Sequence, residues 1–173
     1  MFIASNPAPT KARNHTVHVN WNPPPHGGFK LNIDSAVKAN PGDGGLDGVI
    51  QNHKGGWVIG FISKEANTTP LLAELLALRQ GLGMAIANNL IPLDINIDSL
   101  EVVNLFHTDN ALYNNLIFDC RCMMEKLGAT RPVHIFREQN RVADLFGKEG
   151  LKCNTYGSPM FLIGPHMDAS SAV

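Results

Sequence analysis

The feature that most constrains the fold is a change of period part-way along the chain. Residues 29–36 alternate apolar and polar side chains, as a half-buried strand does, and residues 47–52 and 56–63 read as two more strands. Lys54-Gly55-Gly56, between the last two, is a hairpin turn signal. Then the period switches. Thr69-Pro70 sets an N-cap before a proline suited to a first helical position, and Leu71, Leu75, Leu78, Leu82 and Ala85 recur at helical spacing. A fourth strand is predicted at 93–98, a short helix from Ser99 to about Phe106, and a longer one from about Leu112 to Leu127. A fifth strand at 132–137 precedes a last helix, opened by Gln139 or Asn140 and closed by Gly150. The order is β-β-β-α-β-α-α-β-α, an α/β pattern. Three successive strands imply an antiparallel meander, and strands separated by helices imply parallel additions.

With 173 residues, 44% of them hydrophobic, the chain has material for one domain with a real core. Residues 1–27 are rich in Pro, Asn and His and read as a linker, with Trp21 expected to dock on the domain surface. Residues 28–151 are the expected domain, and 152–173 an irregular tail that packs in part through Phe161, Leu162 and Ile163. Net charge is −1, so nucleic-acid binding would need a local basic patch. The apolar runs read as too short to span a membrane, and Met1–Asn14 has no apolar core of signal-peptide length. The expectation is an intracellular protein, nuclear or cytoplasmic, neither secreted nor membrane-bound. Three cysteines, Cys120, Cys122 and Cys153, then read as reduced thiols, because a lone Cys-x-Cys lacks the usual zinc spacing.

Four acids stand where a fold does not ordinarily want them: Asp34, Glu74, Asp98 and Asp144. Asp34 and Asp98 each end an alternating run, and Glu74 and Asp144 sit near helix starts. Two carboxylates at strand ends and two at helix starts could meet at one sheet edge. Such a cluster repels itself unless cations fill it, which points to a divalent-metal site. Each acid also has a structural alternative. Asp34 could face solvent at a strand end. Glu74 and Asp144 could answer a helix dipole. Asp98-Ser99-Leu100-Glu101 matches a capping box with Asp98 as the cap. Jointly, three acids suffice for one ion, and four allow two ions about 3.5–4 Å apart, the arrangement used in phosphodiester hydrolysis. Neither Gly-x-Ser-x-Gly nor Gly-Lys-Ser/Thr occurs, so a serine nucleophile elbow and a Walker A loop are excluded.

Several motifs occur in a shared order across roughly residues 21–150. They are Trp21-x-Pro-Pro, Lys30-Leu-Asn-Ile-Asp34, Asn40-Pro-Gly with Gly44-Gly45, and Ala73-Glu74-Leu75-x-Ala77-Leu-x-x-Gly81-Leu82. Ile97-Asp98-Ser99 with Val102-Val103 follows, then Asp119-Cys120-Arg121 and Arg137-Glu138-x-Asn140-Arg-Val-Ala143-Asp144. In these the chain resembles the ribonuclease H family, and within it the plant branch found at the ends of retrotransposon-like reading frames. The resemblance implies a five-stranded mixed sheet flanked by helices. It implies two magnesium ions, with manganese a substitute, on Asp34, Glu74, Asp98 and Asp144. It also implies cleavage of the RNA strand of an RNA–DNA hybrid. Asn40 matches a position that contacts the hybrid minor groove in relatives; Asn140 is a second expected substrate contact. Arg137 stands where many bacterial relatives have a histidine, and is expected as a cation near the scissile phosphate. Ser35 replaces the family's usual glycine, and Gln51-Asn52 its usual Arg-Asp. The basic handle of some bacterial members is absent. The chain is therefore expected either to cut hybrids or to be a catalytically weak or inactive nucleic-acid-binding module. It is expected as a monomer, or as the C-terminal domain of a longer polyprotein-like chain.

Overall fold

The computed structural model describes residues 21–108, 111–129, 131–137, 152 and 154–164. The predicted last helix, with Asn140 and Asp144, lies outside the described residues. β1 (Phe29–Val37), β2 (Gly42–Asn52) and β3 (Trp57–Thr68) form the expected antiparallel meander. β4 (Leu93–Ile97) lies parallel to β1 on its other side, and β5 (Val133–His134) lies parallel to β4. A sixth strand, β6 (Met160–Ile163), pairs antiparallel with β3, so the sheet order is β5-β4-β1-β2-β3-β6. This corrects the five-stranded expectation. The extra strand comes from the segment read as irregular tail, and it covers backbone groups on the outer edge of β3 that would otherwise stay unpaired.

Strand lengths differ from the sequence reading for a steric reason. Gly44 and Gly45 precede the strand expected at 47–52, yet they lie inside β2, paired with Val37 and Ala36 of β1. A Cβ on Gly44 would collide with the Thr68 methyl, and one on Gly48 with the Phe61 ring. These glycines serve close approach between strands rather than chain reversal. The reversal sits where predicted, at Lys54-Gly55-Gly56, with Gly55 at φ +79°. There Asn52 Oδ1 accepts from the amides of Lys54 and Gly56 at 3.0 and 2.9 Å. β5 is only two residues long, shorter than predicted.

Helix α1 (Pro70–Ala87) starts at its predicted cap, with Thr69 Oγ1 accepting from the Leu72 amide at 3.2 Å. By length and composition it is apolar enough to cross a membrane, contrary to the sequence reading. In this fold it is the core helix. Leu75, Leu78 and Leu82 are fully buried in one cluster with Leu31 and Ile33 of β1 and Ile95 and Ile97 of β4. Full burial of each such side chain is worth about 1.5–3 kcal/mol. Gly81 lets the helix sit close, since a Cβ there would lie 2.8 Å from the Leu31 methyls. α2 (Leu100–Leu105) follows β4, and α3 (Asn114–Lys126) packs on α1, burying Ile117, Cys120 and Met124. Burial pushes the Cys120 thiol up to about 12, so it is a core thiol. Cys122 is also free, and Cys153 lies outside the described residues. Trp21 docks as expected, with Lys30 Nζ 5.8 Å from its ring centroid.

Candidate metal centre

β1 and β4 run parallel in register, with Asn32 opposite Asn96. Two residues further on, each strand delivers an acid: Asp34 and Asp98. Parallel strands leave their carboxyl ends at one edge, the ordinary location for a site in such sheets. α1 crosses there and brings Glu74. One carboxylate oxygen from each of Asp34, Glu74 and Asp98 lies within 4.8 Å of the others. A divalent cation holds oxygen ligands at about 2.0–2.6 Å, so ligands of one ion stand up to about 5 Å apart. The donor set and its span fit such an ion.

Burial sharpens the fit. Asp34 is 5% exposed and Glu74 8%. A strand-end acid in solvent is therefore not what Asp34 is. The helix dipole does not explain Glu74 either, because it lies beyond the first turn of α1, which holds no acid. Glu74 Oε1 accepts a 2.8 Å hydrogen bond from Ser35 Oγ. Its other oxygen, Oε2, is buried and accepts none among the described residues. A buried carboxylate oxygen left this way costs free energy unless something positive meets it. Desolvation, and then the neighbouring Asp34 and Asp98 charges, push the Glu74 carboxyl up to about 8; the Ser35 bond opposes them.

The capping alternative for Asp98 is corrected. Ser99 is the N-cap of α2, and its hydroxyl accepts from the Val102 amide at 3.3 Å. β4 ends at Ile97, and Asp98, one residue before that cap, places a carboxylate oxygen within 4.8 Å of those of Asp34 and Glu74. Ser99→Ala is therefore expected to cost about 1 kcal/mol by thermal or denaturant unfolding, the usual loss of a cap. Asp98→Ala should show no such capping loss.

Arg137 Nε stands 3.9 Å from Asp98 Oδ2, with the arginine side chain 69% exposed and the carboxylate 13%. The guanidinium thus sits at the rim of the cluster, reachable from solvent. Asn40 is exposed on the loop that follows β1. His134 is exposed and meets Phe136 edge-on at 6.1 Å between ring centroids. Gln51 and Asn52, where the resembling family has Arg-Asp, are occupied internally. Gln51 accepts from Asn32 Nδ2 at 3.2 Å, and Asn52 holds the hairpin turn. The sequence reading missed Asp47, fully buried and opposite Asp34 across β1 and β2. Its signal was an acid amid the apolar run Leu46 to Ile50.

The profile of the reverse transcriptase-like family matches residues 32–150. The chain belongs to that family. Its domain is ribonuclease H-like, of the plant type. Among relatives of this reverse transcriptase-like domain is a candidate ribonuclease H protein of Arabidopsis thaliana, 30% identical over 129 residues. That match takes in 73% of this chain but only 21% of the relative's length. Among solved structures, ribonuclease H1 of the archaeon Halobacterium salinarum aligns with TM-score 0.65 and 22% identity, over 72% of this chain and 97% of that one. A ribonuclease H1 isolated from compost, solved in complex with an RNA/DNA hybrid, aligns with TM-score 0.64 and 22% identity, over 72% and 96%. These likenesses establish the fold.

Proposed function

We propose that the chain is a metal-dependent endonuclease of the ribonuclease H type, which hydrolyses the RNA strand of RNA–DNA hybrids. The observation that carries this is the meeting of Asp34, Glu74 and Asp98 within 4.8 Å at the edge where β1 and β4 end. The orphaned Glu74 Oε2 adds to it. Asp144, the fourth acid of the family motif, completes the proposed set. Magnesium held by these carboxylates, as a pair of ions, would activate a water and stabilise the leaving oxygen. The protein's own groups do the rest. Three carboxylates brought together from β1, α1 and the end of β4 concentrate negative potential at one point. Ser35 orients Glu74. Arg137, at the rim beside Asp98, would offer a cation to a phosphate oxygen. Asn40 and Asn140 would contact the hybrid, where the 2′-hydroxyl tells RNA from DNA. A retrotransposon origin agrees with the family match.

The test is cleavage of labelled substrates in Mg²⁺. RNA in a hybrid should be cut, and duplex DNA or single-stranded RNA far more weakly. Activity should fall steeply with added salt as phosphate contacts release counterions. Asn40→Ala should raise KM for hybrid by about threefold to tenfold, the worth of one lost hydrogen bond, with Mg²⁺ binding unchanged. Equal cutting of duplex DNA would leave a general metal nuclease and defeat the ribonuclease H assignment. A second reading, a hybrid-binding module with little turnover, draws on the net charge of −1 and on the Ser35 hydroxyl occupying Glu74. Tight hybrid binding without any cutting would select it.

A further inference from the structure

We propose that the C-terminal segment 154–164 is a positioning element for the loop that carries Asn40, acting through a clamp of Tyr156, Asp43 and Lys64. The proposal rests on the reading of Asn40 as a hybrid contact. β6 pairs with β3 from Ile59–Ile163 to Ile62–Met160. Backbone bonds extend the ribbon at both ends: Gly164 N to Val58 O at 2.9 Å, and Gly157 N to Lys64 O at 2.8 Å. Gly157 takes φ +68°, a conformation that costs a glycine little, and the chain turns there. Tyr156 is thereby carried to the tip of the β1–β2 hairpin. Its hydroxyl donates to Asp43 Oδ2 at 2.9 Å. Lys64 Nζ lies 3.3 Å from the same oxygen and 4.6 Å from the Tyr156 ring centroid.

Asp43 is the residue that closes the Asn40 loop. Its carbonyl accepts from the Lys38 amide at 3.1 Å, and the loop between is tight: a Cβ on Gly42 would lie 2.9 Å from Ala39. Strand pairing alone does not fix Asp43, because the β2–β3 register shifts between Gly42 and Gly44. The side-chain clamp supplies the missing restraint, from a segment outside the family match at 32–150. It also manages charge. An acid beside a path for a polyanion repels it, and here the Lys64 ammonium, 3.3 Å from the Asp43 carboxylate, offsets that charge. Exposed contacts of this kind add little to global stability. Their effect is local: a loop held in its bound shape loses less freedom when substrate arrives.

The experiment compares hybrid binding, KM, kcat and melting temperature for the full chain and its variants. Tyr156→Phe keeps the ring and removes the donor. It is expected to raise KM and Kd for hybrid by about threefold to tenfold, with kcat and melting temperature little changed. Asp43→Ala should do at least as much, since it also frees Lys64, and the double variant should be no worse than Asp43→Ala alone, because that change already removes the Tyr156 contact. Asp43→Asn keeps an acceptor oxygen for Tyr156 and should retain more affinity than Asp43→Ala. Unchanged KM in Tyr156→Phe overturns the proposal while the proposed function stands. A joint fall in kcat and melting temperature also overturns it, since the contact is then merely structural. A wild-type chain that neither binds nor cuts hybrid removes the function and the clamp's role together, and does so before any variant is made.

Discussion

Asp34→Asn is expected to abolish hybrid cleavage and, in chelator, to raise the melting temperature. The substitution keeps the shape and removes the charge. Oδ1 can still accept the 2.9 Å hydrogen bond from the Ser35 amide, so local structure should persist. What disappears is one of three carboxylates whose oxygens lie within 4.8 Å, and a charge opposite the fully buried Asp47 on the next strand. Losing a charged group at a reacting centre costs about 10²–10³-fold, and loss of a cation with it costs more. Without cations, neutralising one acid relieves repulsion and burial cost at once. A gain of about 1 kcal/mol would shift melting by roughly 2–4 °C for a chain of this size. Trading stability for function in this way is common at active sites. Single-turnover cleavage in Mg²⁺ and thermal unfolding in chelator check both halves. A clear drop in melting temperature would mark Asp34 as a structural residue.

What could be read from the sequence was what local chemistry decides. Thr69-Pro70 starts α1 because the cap and the proline act over one turn. Lys54-Gly55-Gly56 reverses the chain because Gly55 takes a positive φ. The equivalence of Asp34 and Asp98 was visible as two alternating runs with the same ending. The rest depended on partners far away in the chain. Met160–Ile163, bounded by Pro159 and Pro165, has no strand signal of its own beyond four apolar residues. It becomes a strand because β3 offers an edge, and that is a non-local fact. Gly44 and Gly45 fell outside the strand expected at 47–52 because the reason for a glycine at 44, the Thr68 methyl that a Cβ there would meet, is more than twenty residues away. Asp98 fitted a capping box in type and spacing. Whether Asp98 or Ser99 takes the cap depends on where β4 stops, and the sheet sets that.

The largest effect on stability is expected at Glu74. In the unfolded chain its carboxyl titrates near the ordinary 4.5, and in the folded protein near 8. Between those values the folded state keeps a proton that the unfolded chain releases. Stability in chelator should therefore be fully present below about 4.5 and fall as pH rises toward about 8. Each pKa unit is worth about 1.4 kcal/mol, so the loss across the window is on the order of 5 kcal/mol. Glu74→Gln removes the titration. Its stability in chelator should stay flat over that window and exceed that of the wild type at the alkaline end. A cation competes with the proton for the same carboxylate, so Mg²⁺ should stabilise the wild type more at the alkaline end than at pH 6. Glu74→Gln should lose most of that gain. Melting curves in chelator and in Mg²⁺, taken across pH for both proteins, separate the outcomes. A wild type whose stability in chelator holds level or climbs from pH 5 to 8, matching Glu74→Gln, would mean that Glu74 ionises at no cost. The acids would then not be crowded together, and the metal-centre reading would lose its physical basis.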